Sequence, residues 1–170
     1  MTLKTMKVAI LMLATAAFTQ AHAADVTITV KGKVVATPCT VSTTSETVDL
    51  GNLYTFDLRT AGATSAWKTV DLNLTACPVG TTQVTAKFTG TADSSGNYYA
   101  NQAASGAGNI AIQLADTSGS NLPNNATKQV AVDYPAQTAS FALQVRAITV
   151  NGNATQGQVQ TVINVTYTYS

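Results

Sequence analysis

The sequence predicts an all-β chain, an antiparallel sandwich of seven or eight short strands. Three observations predict it. Apolar and polar residues alternate with period two through most of the chain, the mark of strands with one buried and one wet face. Thr is abundant and Glu occurs once, at Glu46, a bias that suits strands better than helices. No stretch carries a convincing amphipathic helical pattern.

Taken in order, the chain of 170 residues opens on Lys4 and Lys7, followed by an apolar run from Val8 to Phe18 and the small-x-small triplet Ala21-His22-Ala23. That is the three-part pattern of a secretory signal peptide, with an apolar run too short to span a bilayer. Cleavage after Ala23 is expected to leave 147 residues beginning at Ala24. It would remove the only histidine, His22, all three methionines, and two of the nine basic residues, leaving seven basic against eight acidic groups. A mature chain without histidine builds no Ser-His-Asp or Cys-His site and lacks the commonest neutral metal ligand. No enzyme and no cofactor is therefore expected. Charged residues are 10% of the chain and no basic patch occurs, so no nucleic-acid partner is expected either.

The first alternating run holds Val26, Ile28, Val30, Gly32, Val34 and Ala36, against Thr27, Thr29, Lys31 and Lys33. Pro38 then ends it, because proline donates no main-chain hydrogen bond. Residues 24–36 are either an ordinary first strand or an extension separate from the domain at 37–170. Further runs are Val70–Thr75, Val84–Thr89, Ile110–Leu114, Phe141–Ala147 and Val159–Tyr169. Turn-rich stretches separate them at 90–96, 101–109, 117–125 and 151–157. Cys39 and Cys77 stand 38 positions apart, and in an exported chain they predict one disulfide. Closing that loop contributes about 4 kcal/mol in the chain-entropy account.

The last run, with Val159, Ile163, Val165, Tyr167 and Tyr169 on one face, ends at Ser170 without Lys-rich or Pro-rich protection. A strongly apolar strand edge of this kind is a liability that proteins normally cover. The apolar row either packs inward as ordinary core or lines a groove that a strand from another molecule fills.

The chain resembles Gram-negative fimbrial subunits assembled by the chaperone–usher route, and within them the minor tip subunits of type 1 fimbriae. The resemblance rests on the N-terminal stretch ADVTITVKGKVVATPC, the two-cysteine spacing, Gly157 as the fourteenth residue from the C-terminus, the penultimate Tyr169, and stretches such as CPVGT, LQVRA and TVNG. It implies an incomplete immunoglobulin-like sandwich lacking its C-terminal strand. It implies that Val26, Ile28, Val30, Gly32 and Val34 form a donor strand, and that Val159, Ile163, Val165, Tyr167 and Tyr169 line the recipient groove. A periplasmic chaperone would lend a strand to that groove and hold the carboxylate of Ser170. At an outer-membrane usher, the next subunit's extension would replace it. The implied partners are an adhesin through the N-terminal extension and another minor subunit through the groove. The implied location is the cell-surface fimbrium, reached through the periplasm. A rod pilin of the same route is the alternative within the family, and a sugar-binding adhesin domain the alternative outside it.

Other motifs weigh less. Gly106-Ala107-Gly108-Asn109-Ile110-Ala111 matches a dinucleotide-binding spacing but leads from a polar loop into a strand, the wrong context. Trp67 is expected to pack at the core or an edge, and Arg146 to be a solvent-facing strand charge.

Overall fold

The computed structural model describes residues 27–34 and 37–170. Within 37–170 the chain folds as a two-sheet antiparallel sandwich of eight strands: β1 (Thr40–Val41), β2 (Lys68–Thr75), β3 (Gln83–Gly90), β4 (Tyr99–Ala100), β5 (Ala111–Asp116), β6 (Thr127–Ala131), β7 (Ala139–Ile148) and β8 (Ile163–Tyr169). One sheet has five strands in the order β1-β2-β7-β5-β4, and the other has three in the order β6-β3-β8. No helix occurs among the described residues. Thr27–Val34 form no strand in the structure. Val26, Val35 and Ala36 lie outside the described residues.

The strands form where the alternation sets them. Along β7, Ala139, Phe141, Leu143, Val145 and Ala147 turn inward and are buried, while the residues between them face out or are half-buried. β3 does the same from the opposite sheet with Val84, Ala86 and Phe88, all fully buried. Tyr99 from β4 completes this core, its hydroxyl donating to the Leu122 carbonyl at 3.0 Å. Gly90 makes room for it, because a Cβ there would meet the Tyr99 ring at 2.9 Å and the Val162 carbonyl oxygen at 2.8 Å.

Two ties brace the sandwich, one within a sheet and one between the sheets. Cys39 and Cys77 form a disulfide across the β1–β2 pair, Cα atoms 4.2 Å apart. At the far side of the sandwich, Asp116 at the end of β5 meets Lys128 of β6 at 2.9 Å and so joins the two sheets. The carboxylate also accepts from the Ser118 hydroxyl and from the main-chain N–H groups of Ser118 and Ser120. The Ser118 hydrogen bond first, and Lys128 next, hold the Asp116 carboxyl well below the usual carboxylate range.

On the outer face of the five-stranded sheet, Arg146 is held rather than free. Its guanidinium lies 4.0 Å over the Trp67 ring, Nε donates to Gln113 Oε1 at 2.8 Å and Nη1 to Thr64 Oγ1 at 3.0 Å. The expectation of a simple solvent-facing charge missed this clamp, because Thr64 and Gln113 are far away in sequence.

Asp116 sets a pH dependence. A carboxyl with a lowered folded pKa stabilises the fold above its unfolded value, about 3.9, and that contribution is lost as pH falls below it. Acid unfolding followed by circular dichroism should show stability falling below about pH 4, and Asp116→Asn should flatten that dependence while lowering stability at neutral pH. Tyr99 acts at the other extreme. Burial pushes its hydroxyl up to about 12, so its contribution should disappear as pH rises from about 10 toward that value.

Candidate functional site

A five-stranded sheet facing a three-stranded one leaves part of an inner face uncovered, and the contacts say which part. The Asp116–Lys128 pair sets β6 against β5. At the other side, the Tyr167 ring of β8 lies 5.8 Å from the Phe141 ring of β7, and Phe141 pairs in register with Leu72 of β2. The inward residues beyond this point, Val70 and Leu72 of β2 and Val41 of β1, are only half-buried although they pack on the core. Val48 and Leu50 share that state. The uncovered strip therefore runs beside β8, over β2 and β1.

β8 borders this strip as the outermost strand of its sheet. Ile163, Val165, Tyr167 and Tyr169 turn toward the core yet stay half-buried, while Asn164, Thr166 and Thr168 are exposed. The hydrogen-bond phase of the strand is fixed by its end. Gln83 and Ser170 exchange both main-chain bonds, at 2.9 and 3.1 Å. In an antiparallel ladder such pairs alternate with non-bonded ones. Thr168, Thr166 and Asn164 then bond to β3, and Ile163, Val165, Tyr167 and Tyr169 point their N–H and C=O groups at the open edge. The same four residues thus present an apolar side chain and an unpaired main chain to one groove. Burial pushes the hydroxyls of Tyr167 and Tyr169 up, with Tyr169 adding to the shift of Tyr167.

At the Ile163 end the groove deepens into a cavity of about 230 Å³ lined by Leu53, Leu58, Ile110, Ala154, Gly157 and Val159. That is smaller than the roughly 300–1,000 Å³ of sites for drug-sized ligands, and comparable to the space one or two aliphatic side chains fill. Gly157 shapes it. A Cβ there would come within 2.3 Å of the Ala107 nitrogen and 2.5 Å of the Gly106 carbonyl carbon. Only glycine lets the β7–β8 connection lie on the β4–β5 loop, where Ala107 N–H donates to the Gln158 carbonyl at 2.9 Å. Asn101 locks the same junction. Its Nδ2 donates to the carbonyls of Ala107 and Gln158, and its Oδ1 accepts from Ala103 and Gln160 N–H. This arrangement gives Gly106 and Gly108 a packing role in place of phosphate binding.

Of the residues expected to act, Val159, Ile163, Val165, Tyr167 and Tyr169 come together along one groove, with Gly157 at its deep end. The Ser170 main-chain oxygen is held by the N–H groups of Thr82 and Gln83 and by the Thr82 hydroxyl. Ile28, Val30 and Val34 are 81%, 87% and 101% exposed, an extreme for such side chains, and Gly32 has open space around it. Sequence reasoning missed Leu53, Leu58, Ile110, Ala154 and Asn101, since no spacing announces a cavity assembled from separate loops. No group of three His, Cys, Asp or Glu among the described residues could hold a metal ion.

Known proteins share this fold. Residues 28–170 match the family described as fimbrial protein. The chain is 62% identical over 162 residues to protein FimG of Escherichia coli strain K12, covering 95% of this chain and 93% of that protein. Among solved structures, the P pilus rod subunit PapA superposes with a TM-score of 0.64 at 20% identity, over 79% of this chain and all of that one. A subunit from a chaperone–usher pilus structure concerned with rod uncoiling superposes with the same score and identity, over 86% of this chain and 96% of that one.

Replacing Gly157 tests the cradle. Gly157→Ala forces the β7–β8 connection off the β4–β5 loop and should lower stability by about 1–3 kcal/mol, the usual range for overpacking. Thermal unfolding of the two proteins reads it. A change within error would mean that the loops yield freely and that the cavity is not held by this contact.

Proposed function

The chain belongs to the fimbrial protein family, and from that premise we propose that it is a minor subunit of a fimbrial tip that links an adhesin to the rest of the fibre by exchange of strands. It is a structural subunit of surface fimbriae, exported and assembled there. The tip position, the neighbours and the strand exchange are our reading. What supports it above all is the edge of β8, where four residues offer apolar side chains and free main-chain groups to the same empty strip.

In this reading residues 1–23 are a signal peptide, 24–36 a donor extension and 37–170 the pilin domain. Val26, Ile28, Val30 and Val34 insert as alternate knobs into the groove of an adhesin. At about 1.5–3 kcal/mol per buried side chain, four of them offer on the order of 6–12 kcal/mol before the cost of ordering the strand. Gly32 interrupts the row where the partner's backbone comes close. A slip of one residue would turn Thr27, Thr29, Lys31 and Lys33 inward, so register is set by the alternation itself. The groove of this chain takes the extension of another minor subunit in turn. Before assembly a periplasmic chaperone covers the groove, and an outer-membrane usher hosts the exchange. The mechanism needs no catalysis, only a strand that buries more apolar area than the one it displaces. Within the fibre the reading favours a tip adaptor over a rod pilin because of the high identity to FimG.

The experiment is a melting curve. Mature chain is compared with the same chain carrying a second copy of residues 24–36 joined after Ser170 by a flexible linker. A filled groove should raise Tm by on the order of 10 °C or more, given about 2–4 °C per kcal/mol for a chain of this size. Putting Asp at the Ile28 and Val30 positions of the added copy should abolish the gain. An unchanged Tm with the native sequence would reject the groove as a strand acceptor.

A further inference from the structure

The exposed large apolar side chains of the described residues are grouped. Ile28, Val30 and Val34 belong to the proposed donor stretch and Val162 leads into β8. The other four occupy two separate ends of the sandwich: Tyr54 and Phe56 at one, Val79 and Tyr134 at the other.

The first end adjoins the deep part of the groove. Phe56 is 71% exposed, and the Arg59 guanidinium lies 4.0 Å over its ring. Arg59 Nε also donates to the Phe56 carbonyl at 3.3 Å. The segment is tied to the β7–β8 connection, with Asn153 N–H donating to the Arg59 carbonyl and Ala154 N–H to that of Leu58. Leu53 and Leu58, on either side of Tyr54 and Phe56, line the cavity that Val159 closes. The aromatic ridge is thus continuous with the groove. The second end surrounds the disulfide. Val79 follows Cys77 by two residues, and the Tyr134 hydroxyl donates to the carbonyls of Pro78 and Thr81.

Direction and tether length connect the two ends, given the strand-exchange reading above, on which this inference rests. Every ladder in the sandwich is antiparallel. A donor strand that continues this pattern beside β8 runs from the Tyr169 end toward Val159, and leaves the groove at the cavity. In a donor built like this chain, Val34 is five residues before Cys39. Five peptide steps reach at most about 17 Å. The body of the donor is then held against the Tyr54–Arg59 end, and the face it presents is the one around its own first cysteine. We propose that the ridge of Tyr54, Phe56 and Arg59 is a seat for the globular body of the strand-donating fimbrial subunit, received through the apolar face beside that subunit's disulfide. The strand supplies the link, and the seat sets the angle between successive bodies.

Photocrosslinking in fimbriae assembled by the producing bacterium tests the seat and the groove separately. Phe56→p-benzoylphenylalanine probes the ridge. Thr166→p-benzoylphenylalanine, on the exposed face of β8 beside the open edge, probes the groove. Thr69→p-benzoylphenylalanine, on the exposed face of β2, is the background control. After irradiation, the Phe56 probe should join a fimbrial subunit at peptides flanking its first disulfide, identified by mass spectrometry, and the Thr166 probe should join a subunit's N-terminal extension. An extension adduct at Thr166, with Phe56 giving no more than the Thr69 background or joining any other region, overturns the seat and leaves strand exchange standing. No extension adduct at Thr166 overturns strand exchange itself, and the seat falls with it.

Discussion

The sandwich is short of one strand, and most of what distinguishes this chain follows from that shortage. Five strands face three, β6 is tied against β5 by Asp116 and Lys128, and the deficit therefore falls entirely on the β8 side. Had β8 been covered, Ile163, Val165, Tyr167 and Tyr169 would be as buried as Phe141 and Leu143 opposite them. Instead they are half-exposed in a continuous row, and their main-chain groups face the same way. Apolar side chains and unpaired amides are each costly to leave open. One added strand relieves both together, which neither a small ligand nor a flat protein surface could do.

Features elsewhere keep the open strip in shape while it is uncovered. The disulfide holds β1 to the end of β2, so one wall of the groove is covalently fixed. The exchange of main-chain bonds between Ser170 and Gln83 pins the end of the other wall, β8, to β3. Gly157 and Asn101 hold the deep end by packing and hydrogen bonding, beside a small apolar cluster of Leu58, Ile110, Ala147 and Ala154. A groove whose walls were free to close would bury its own apolar row and lose the capacity to accept a strand. In the strand-exchange reading this rigidity serves binding through pre-organisation, since an acceptor already shaped spends little of the insertion energy on ordering itself.

The alternation made β2, β3, β5, β7 and the core of β8 legible, because each turns an apolar row toward the core and so shows its period. The two-residue strands β1 and β4 are too short to have a period at all. β6 was passed over because Lys128 and Val130 are its half-buried residues, and a lysine in that position breaks the apolar row. The run from Val159 was expected to be strand throughout, but strand pairing with β3 begins only at Ile163, since the preceding residues follow the β4–β5 loop where Gly157 and Asn101 hold them. Alternation could not tell groove from core. Val165 and Val145 look alike in sequence, and what separates them is whether a strand lies opposite, which only the count of strands in each sheet decides. The cavity was hidden for a related reason: Leu53 and Leu58, Ile110, and Ala154 come from three separate segments with no pattern in common.

The direction of the open edge also bears on what kind of assembly this domain can join. A donor extension and an acceptor groove are different surfaces, so a contact between them is heterologous, and a repeated heterologous contact closes into a ring or runs on as a fibre. The groove here opens along one edge and deepens toward the Val159 end, so the alternation of a seated strand fixes its register. A tether of a few residues then leaves the donor little room to swing back. Polarity, register and short reach together favour growth in a line over closure. In the strand-exchange reading, the same open edge that would be an aggregation hazard in an isolated domain makes a linear fibre the ordered outcome.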